Sequence, residues 1–130
     1  MISEFPVNLT AARAARRAGM AIIAGAPNLV RGGSHSGNVA AADLVREGLV
    51  NVIASDYVPP AMIEAAWKTL DLGLTLPEAV AMVTDNPARS LHLHDRGRIE
   101  AGLRADLVQV REHAGMPVIR AVWRGGERVA

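Results

Sequence analysis

The chain has 130 residues, enough for one domain with its own core but well short of a complete eight-stranded barrel of roughly 250 residues. Its 14 Lys and Arg nearly cancel its 13 Asp and Glu, so no general field draws it to nucleic acid or acidic lipid, and any anion site must be local. Cysteine is absent, which excludes disulfides and thiolate chemistry and agrees with a cytoplasmic protein. The first ten residues lack the basic start and apolar stretch of a signal peptide, and no apolar run approaches the roughly 18 residues of a membrane span, so a soluble protein is expected.

In chain order, residues 1–5 (MISEF) read as a short strand ending near Glu4. Residues 8–18 (NLTAARAARRA) offer an Asn or Thr cap, apolar positions at helical spacing and Gly19 as a stop, and predict an amphipathic helix with a solvated arginine face. Residues 20–26 are continuously apolar between Gly19 and Pro27, as in a buried strand of a parallel sheet. A polar loop, RGGSHSGN (31–38), is expected to follow at once, then a helix over 39–46 ending near Gly48. The order repeats with a strand over 49–54 and a helix opened by Pro59-Pro60 and running to about Leu72. Two such units imply parallel strands joined by crossover helices. Further helices are predicted over 77–84, capped by Thr75, and over 87–93, with Asn86 before it. From Gly97 the pattern turns β-rich: a strand over 106–110, a turn near Gly115, and a hairpin over 117–129 around Gly125-Gly126.

Chemistry in a parallel α/β sheet sits at the carboxyl ends of the strands, and Asp56 stands there. A carboxylate in that place binds a metal ion or takes a proton from an attacking water; equally, an Asp there caps the next helix. The loop that follows the preceding strand would reach the same rim. Arg31 supplies a guanidinium fork for phosphate. Gly32 and Gly33 allow close approach of backbone N–H groups, and Ser34, Ser36 and Asn38 add donors. His35 is a candidate proton donor, phosphate contact or metal ligand, or simply an exposed loop residue. Tyr57, beside Asp56, is grouped with this loop as a substrate contact, and Glu4 is a further strand-end carboxylate or an exposed terminal one. His92 and His94, two apart on a predicted helix, should face apart; with His113 they are read as structural, and Trp67 and Trp123 as core or interface aromatics.

Residues 84–110 (TDNPARSLHLHDRGRIEAGLRADLVQV) carry a Thr-x-Asn-Pro-Ala helix, a Gly-x-Ile-x-x-Gly turn and an Ala-Asp-Leu-Val strand entry. This segment resembles the C-terminal signature of the amidohydrolase superfamily. The resemblance implies an α/β chain: 1–96 as the C-terminal portion of a (β/α)8 barrel, and 97–130 as strands of a small sandwich subdomain. It also implies that Asp56, in VIASDY, is the aspartate at the end of the eighth barrel strand that touches the metal and handles the proton. Glu4 falls at the end of the sixth strand, where many relatives place a metal-binding His, and is assigned as a second metal contact.

ISEFPVNLTAARAAR, GAPNLVRGGSHSGNVAA and SDYVPPAM together resemble, more closely, the superfamily's diphosphatases of the carbon–phosphorus lyase pathway. That likeness covers essentially the whole chain. It implies hydrolysis of a ribose 5-triphosphate phosphonate ester to the 5-phosphate and diphosphate, with a divalent metal, expected to be zinc, in the complete enzyme and little or none on these 130 residues alone. The superfamily's His-x-His, lysine and fifth-strand histidine have no match here and would lie upstream of Met1, so the chain is expected to be inactive by itself. A phosphorylated small molecule is the expected substrate and a homo-oligomer the expected assembly. The alternatives are hydrolysis of an amide or cyclic C–N bond, or a non-catalytic oligomerising half barrel.

Overall fold

The computed structural model describes residues 1–32 and 40–130. Three short strands, β1 (Ile2–Glu4), β2 (Ala21–Gly25) and β3 (Val52–Ala54), lie parallel in that order, with Ile2 beside Ala21, Ile23 beside Val52 and Gly25 beside Ala54. Helix α1 (Leu9–Arg17) carries the chain from β1 to β2; α2 (Ala26–Arg31) and α3 (Ala41–Arg46) lie between β2 and β3. Then come α4 (Ala61–Lys68), a 3-10 turn over 70–72, α5 (Leu76–Ala81) and α6 (Asp85–Ser90). The chain is thus α/β with a parallel sheet, as the two strand-and-helix units predict. A separate antiparallel sheet follows, made of β4 (Leu107–His113), β5 (Met116–Arg124) and β6 (Glu127–Arg128).

Local chemistry fixes the helix ends. The Asn8 side chain accepts the Ala11 N–H at 2.8 Å to start α1, and Arg16 and Arg17 complement the dipole in its last turn. At α5, the Glu78 carboxylate accepts from both the hydroxyl and the backbone N–H of Thr75, at 2.7 and 2.8 Å, closing a capping box. Those bonds from Thr75, side chain first, hold the Glu78 carboxyl below its ordinary value.

Side chains alternate across the sheet, so Ile22, Ala24 and Ile53 face the helices while Ile2, Glu4, Ala21, Ile23, Gly25, Val52 and Ala54 share the other face. The helix side is built largely from alanine. Ala24, Ala26, Ala41, Ala61, Ala65 and Ala66 pack with Leu29, Val45, Ile53 and Met82 in one cluster, and Ala12, Ile22 and Leu44 form a second. Small side chains let the helices lie close to the strands, at the cost of modest apolar area per residue.

Three expectations need correction. The chain does not pass from β2 straight into a loop: Ala26 to Arg31 is a helix with Pro27 in its first turn. Proline cannot continue a parallel strand but is pre-set for a helix start, so the signal read as a strand terminator was equally a helix initiator. The helix opened by Pro59-Pro60 closes at Lys68, and the 3-10 turn over 70–72 completes the stretch to Leu72. Finally, His92 and His94 do not sit on a helix and do not face apart. Helix α6 stops at Ser90, and His92 takes φ 58°. His92 N–H then donates to Arg89 O and Leu93 N–H to Ala88 O, the bonding of a Schellman cap, which leaves the two imidazoles 6.3 Å apart.

Candidate functional site

The carboxyl ends of β1, β2 and β3 form one rim, occupied in order by Glu4 and Phe5, by Gly25, and by Ser55 and Asp56. Parallel pairing brings them level, because the register sets Glu4 beside Ile23 and Gly25 beside Ala54. Phe5 extends the ladder by donating its N–H to Ile23 O at 3.2 Å. Beyond β3 a tight turn closes with Val58 N–H on Ser55 O at 3.0 Å, and Asp56 occupies its bend.

Four non-glycine residues among those described have left-handed backbone, and two of them, Phe5 (φ 47°) and Asp56 (φ 53°), stand on this rim. Such conformations are costly for residues with a side chain and concentrate where position matters more than local comfort. Both side chains fold back over the middle strand. A Cβ placed on Gly25 would lie 2.9 Å from Phe5 Cε1 and 3.3 Å from Asp56 Oδ2. Gly25 itself has φ −79°, open to any residue, so it is glycine for space and not for backbone freedom.

Next to Asp56, the exposed Tyr57 ring carries the Arg31 guanidinium at 6.0 Å from its centroid, the outer limit of a cation–π contact. Arg31 arrives from the end of α2, a helix packed extensively on α4, so two crossover units meet at this pair. Arg31, Asp56 and Tyr57 therefore share one rim. Gly32 follows with left-handed φ 73°. Glu4 ends β1 on the same sheet face as Gly25 and is exposed. Gly33, Ser34, His35, Ser36 and Asn38 lie outside the described residues. Phe5 and Gly25 are rim residues that the sequence reading passed over.

Chemically, the rim offers a carboxylate able to orient or deprotonate a water, a guanidinium suited to phosphate oxygens and a phenol that donates or accepts. Among the described residues no group of three or more His, Cys, Asp or Glu side chains converges, whereas catalytic zinc sites use about three protein ligands.

The signature over 84–110 is structural. Gly97 (φ 100°) runs against α6 so closely that a Cβ there would meet Ala88 Cβ at 2.8 Å and Asp85 Cα at 3.0 Å. Asp85 pairs with Arg89 at 2.7 Å and with Arg98 at 3.5 Å, clamping the turn onto the helix. Trp67, half-buried on α4, donates its indole N–H to Glu112 on β4 at 3.3 Å, joining the two sheets' layers. Among the described residues no helix is long and apolar enough to cross a membrane.

A parallel sheet with a strand-end aspartate, followed by this latch and an antiparallel hairpin, defines the class: residues 9–130 match the amidohydrolase family, and the chain belongs to it. Within that family it is 49% identical, over 99% of its length, to the alpha-D-ribose 1-methylphosphonate 5-triphosphate diphosphatase of Escherichia coli (strain K12), of which it spans 35%. It is also 40% identical to the imidazolonepropionase of Streptomyces griseus, over 45% of this chain and 17% of that protein. Among solved structures, an amidohydrolase from Thermotoga maritima MSB8 superposes with a TM-score of 0.77 at 22% identity, covering 99% of this chain and 36% of that one. A beta-aspartyl dipeptidase from Fervidobacterium islandicum AW-1 gives 0.68, also at 22% identity, over 98% and 38% of the two chains. These solved structures share the fold. The chain thus spans about a third of the length of the relatives that match it end to end.

Proposed function

We propose that this chain is the C-terminal part of a metal-dependent (β/α)8-barrel hydrolase that cleaves a ribose 5-triphosphate phosphonate ester to the 5-phosphate and diphosphate. The observation that carries the reading is the shared rim of Asp56, Tyr57 and Arg31, in a chain 49% identical to a triphosphate diphosphatase. Asp56 accepts the proton of the attacking water and holds that water in line. Arg31 meets the charge that gathers on the departing diphosphate, where a guanidinium fork is worth most. Tyr57 keeps Arg31 over the rim, and Gly32, Gly33, Ser34, His35, Ser36 and Asn38 serve as further contacts for the triphosphate. The divalent metal, expected to be zinc, requires ligands from outside these residues, with Asp56 and Glu4 as this chain's contacts.

The remaining sheet edge at β1 and the exposed Val108 and Val118 of the second sheet suit association with further polypeptide, and a homo-oligomer is the proposed assembly. The test is diphosphate release by the intact enzyme with Asp56→Asn: turnover is expected to disappear, and retained turnover would defeat the proposal. A second reading, hydrolysis of a cyclic C–N bond, draws on the likeness to imidazolonepropionases. Offering the same enzyme a cyclic amide and a nucleoside triphosphate separates the two, because only triphosphate cleavage yields diphosphate.

A further inference from the structure

The strained pair on the rim has a role beyond the assignment of Asp56. We propose that Phe5 is a positioning residue whose ring edge fixes the rotamer of the Asp56 carboxylate above Gly25. Phe5 Cε1 and Asp56 Oδ2 approach within 3.3 Å of one common point, the place where a Gly25 side chain would begin. An aromatic ring is negative on its faces and positive at its edge, so a Cε1–H directed toward a carboxylate oxygen is attractive.

The backbone supports the same assignment. Phe5 is tied to β2 through its N–H on Ile23 O, yet takes φ 47°, which turns its side chain back across the sheet end. The ring remains 43% exposed and belongs to neither buried cluster, so it contributes little to the core that would explain the strain. Asp56, two strands away, takes the matching left-handed turn at φ 53°. Two separate left-handed backbones, each costly for a residue with a side chain, serve one juxtaposition.

This inference rests on Asp56 being the reacting carboxylate, and its test has one arm free of that assumption. In the labelled chain, three-bond couplings to Asp56 Cγ report its χ1. A single rotamer is expected in the wild type and in Phe5→Tyr, and averaging over rotamers in Phe5→Ala. Should Phe5→Ala not fold, Phe5→Leu keeps the bulk and removes the aromatic edge, and averaging is expected there too. In the intact enzyme, Phe5→Ala should lower kcat about tenfold or more with KM within about twofold, and Phe5→Tyr should restore it. An Asp56 rotamer equally fixed without the ring overturns the proposal, as does a freed rotamer with unchanged kcat in an enzyme that Asp56→Asn inactivates. If Asp56→Asn retains turnover, the reading of Asp56 fails, while the coupling measurement still decides whether Phe5 holds it.

Discussion

The Asn86 side-chain amide donates to the backbone carbonyl of Asn51 at 2.8 Å, and this bond binds the start of α6 to the outer edge of β3. Ile53 N–H donates to Met82 O at 3.0 Å along the same edge, so the α5–α6 junction occupies a strand edge with groups that are not themselves a strand. Replacing Asn86 with Ala leaves the Asn51 carbonyl without that donor, at a cost of about 1–3 kcal/mol. Urea unfolding should show the lower midpoint, and the Ile53 amide should exchange faster with solvent. An unchanged midpoint would mean that the amide bond is incidental to the edge.

Gly97 makes the complementary prediction at the other side of α6. Its φ of 100° disfavours any side chain, and the Cβ would strike Asp85 Cα, which cannot swing away. Gly97→Ala should therefore cost upwards of about 2 kcal/mol, backbone strain and overpacking together. Thermal unfolding followed by circular dichroism checks it.

Much of this was legible because period and punctuation agreed. The apolar run before Pro27, the caps at Asn8 and Thr75 and the Gly125-Gly126 turn each carry local physics that tertiary packing did not override. Helix α2 escaped because Pro27 signals a strand end and a helix start alike. The pairing of His92 and His94 escaped because a left-handed histidine at a helix C-terminus has no glycine to announce it. At the rim, the place of Asp56 just past β3 was legible from the apolar run before it, whereas Arg31, expected in a loop, ends α2. Phe5 and Gly25 matter through one close approach between residues 20 positions apart, and no single-sequence pattern encodes that distance.

The second sheet has a pH-dependent fastening. Asp106 accepts the Gly125 N–H at 2.8 Å and pairs with Arg104 at 2.7 Å, and these two, Arg104 first, hold its carboxyl below the ordinary carboxylate range. A depressed folded-state value means that the stabilisation is complete above the unfolded value and is lost as pH falls through the lower folded one. The hairpin turn should therefore loosen only in that acid window. The Gly125 amide shift should titrate with the Asp106 carboxyl, and Asp106→Asn should flatten that titration. A Gly125 shift insensitive to pH in the wild type would contradict the assignment.

Gly25 separates the needs of the fold from those of the rim. At φ −79° an alanine is free of backbone strain, and the atom it meets first, Phe5 Cε1 at 2.9 Å, belongs to a half-exposed ring that can turn aside. The stability of Gly25→Ala should thus stay within about 1 kcal/mol of wild type, since removing a glycine also reduces the freedom of the unfolded chain. The rim cannot absorb the methyl group so easily. Asp56 Oδ2 lies 3.3 Å from the new carbon, closer than nearly all Cβ contacts, so the carboxylate itself must shift. A misplacement near 1 Å at a reacting group can cost about a hundredfold, so kcat of the intact enzyme should fall by about ten- to a hundredfold with an almost unchanged melting temperature. Parallel loss of stability and activity would instead assign Gly25 to packing alone, and full activity would show that the Asp56 carboxylate works from some other position.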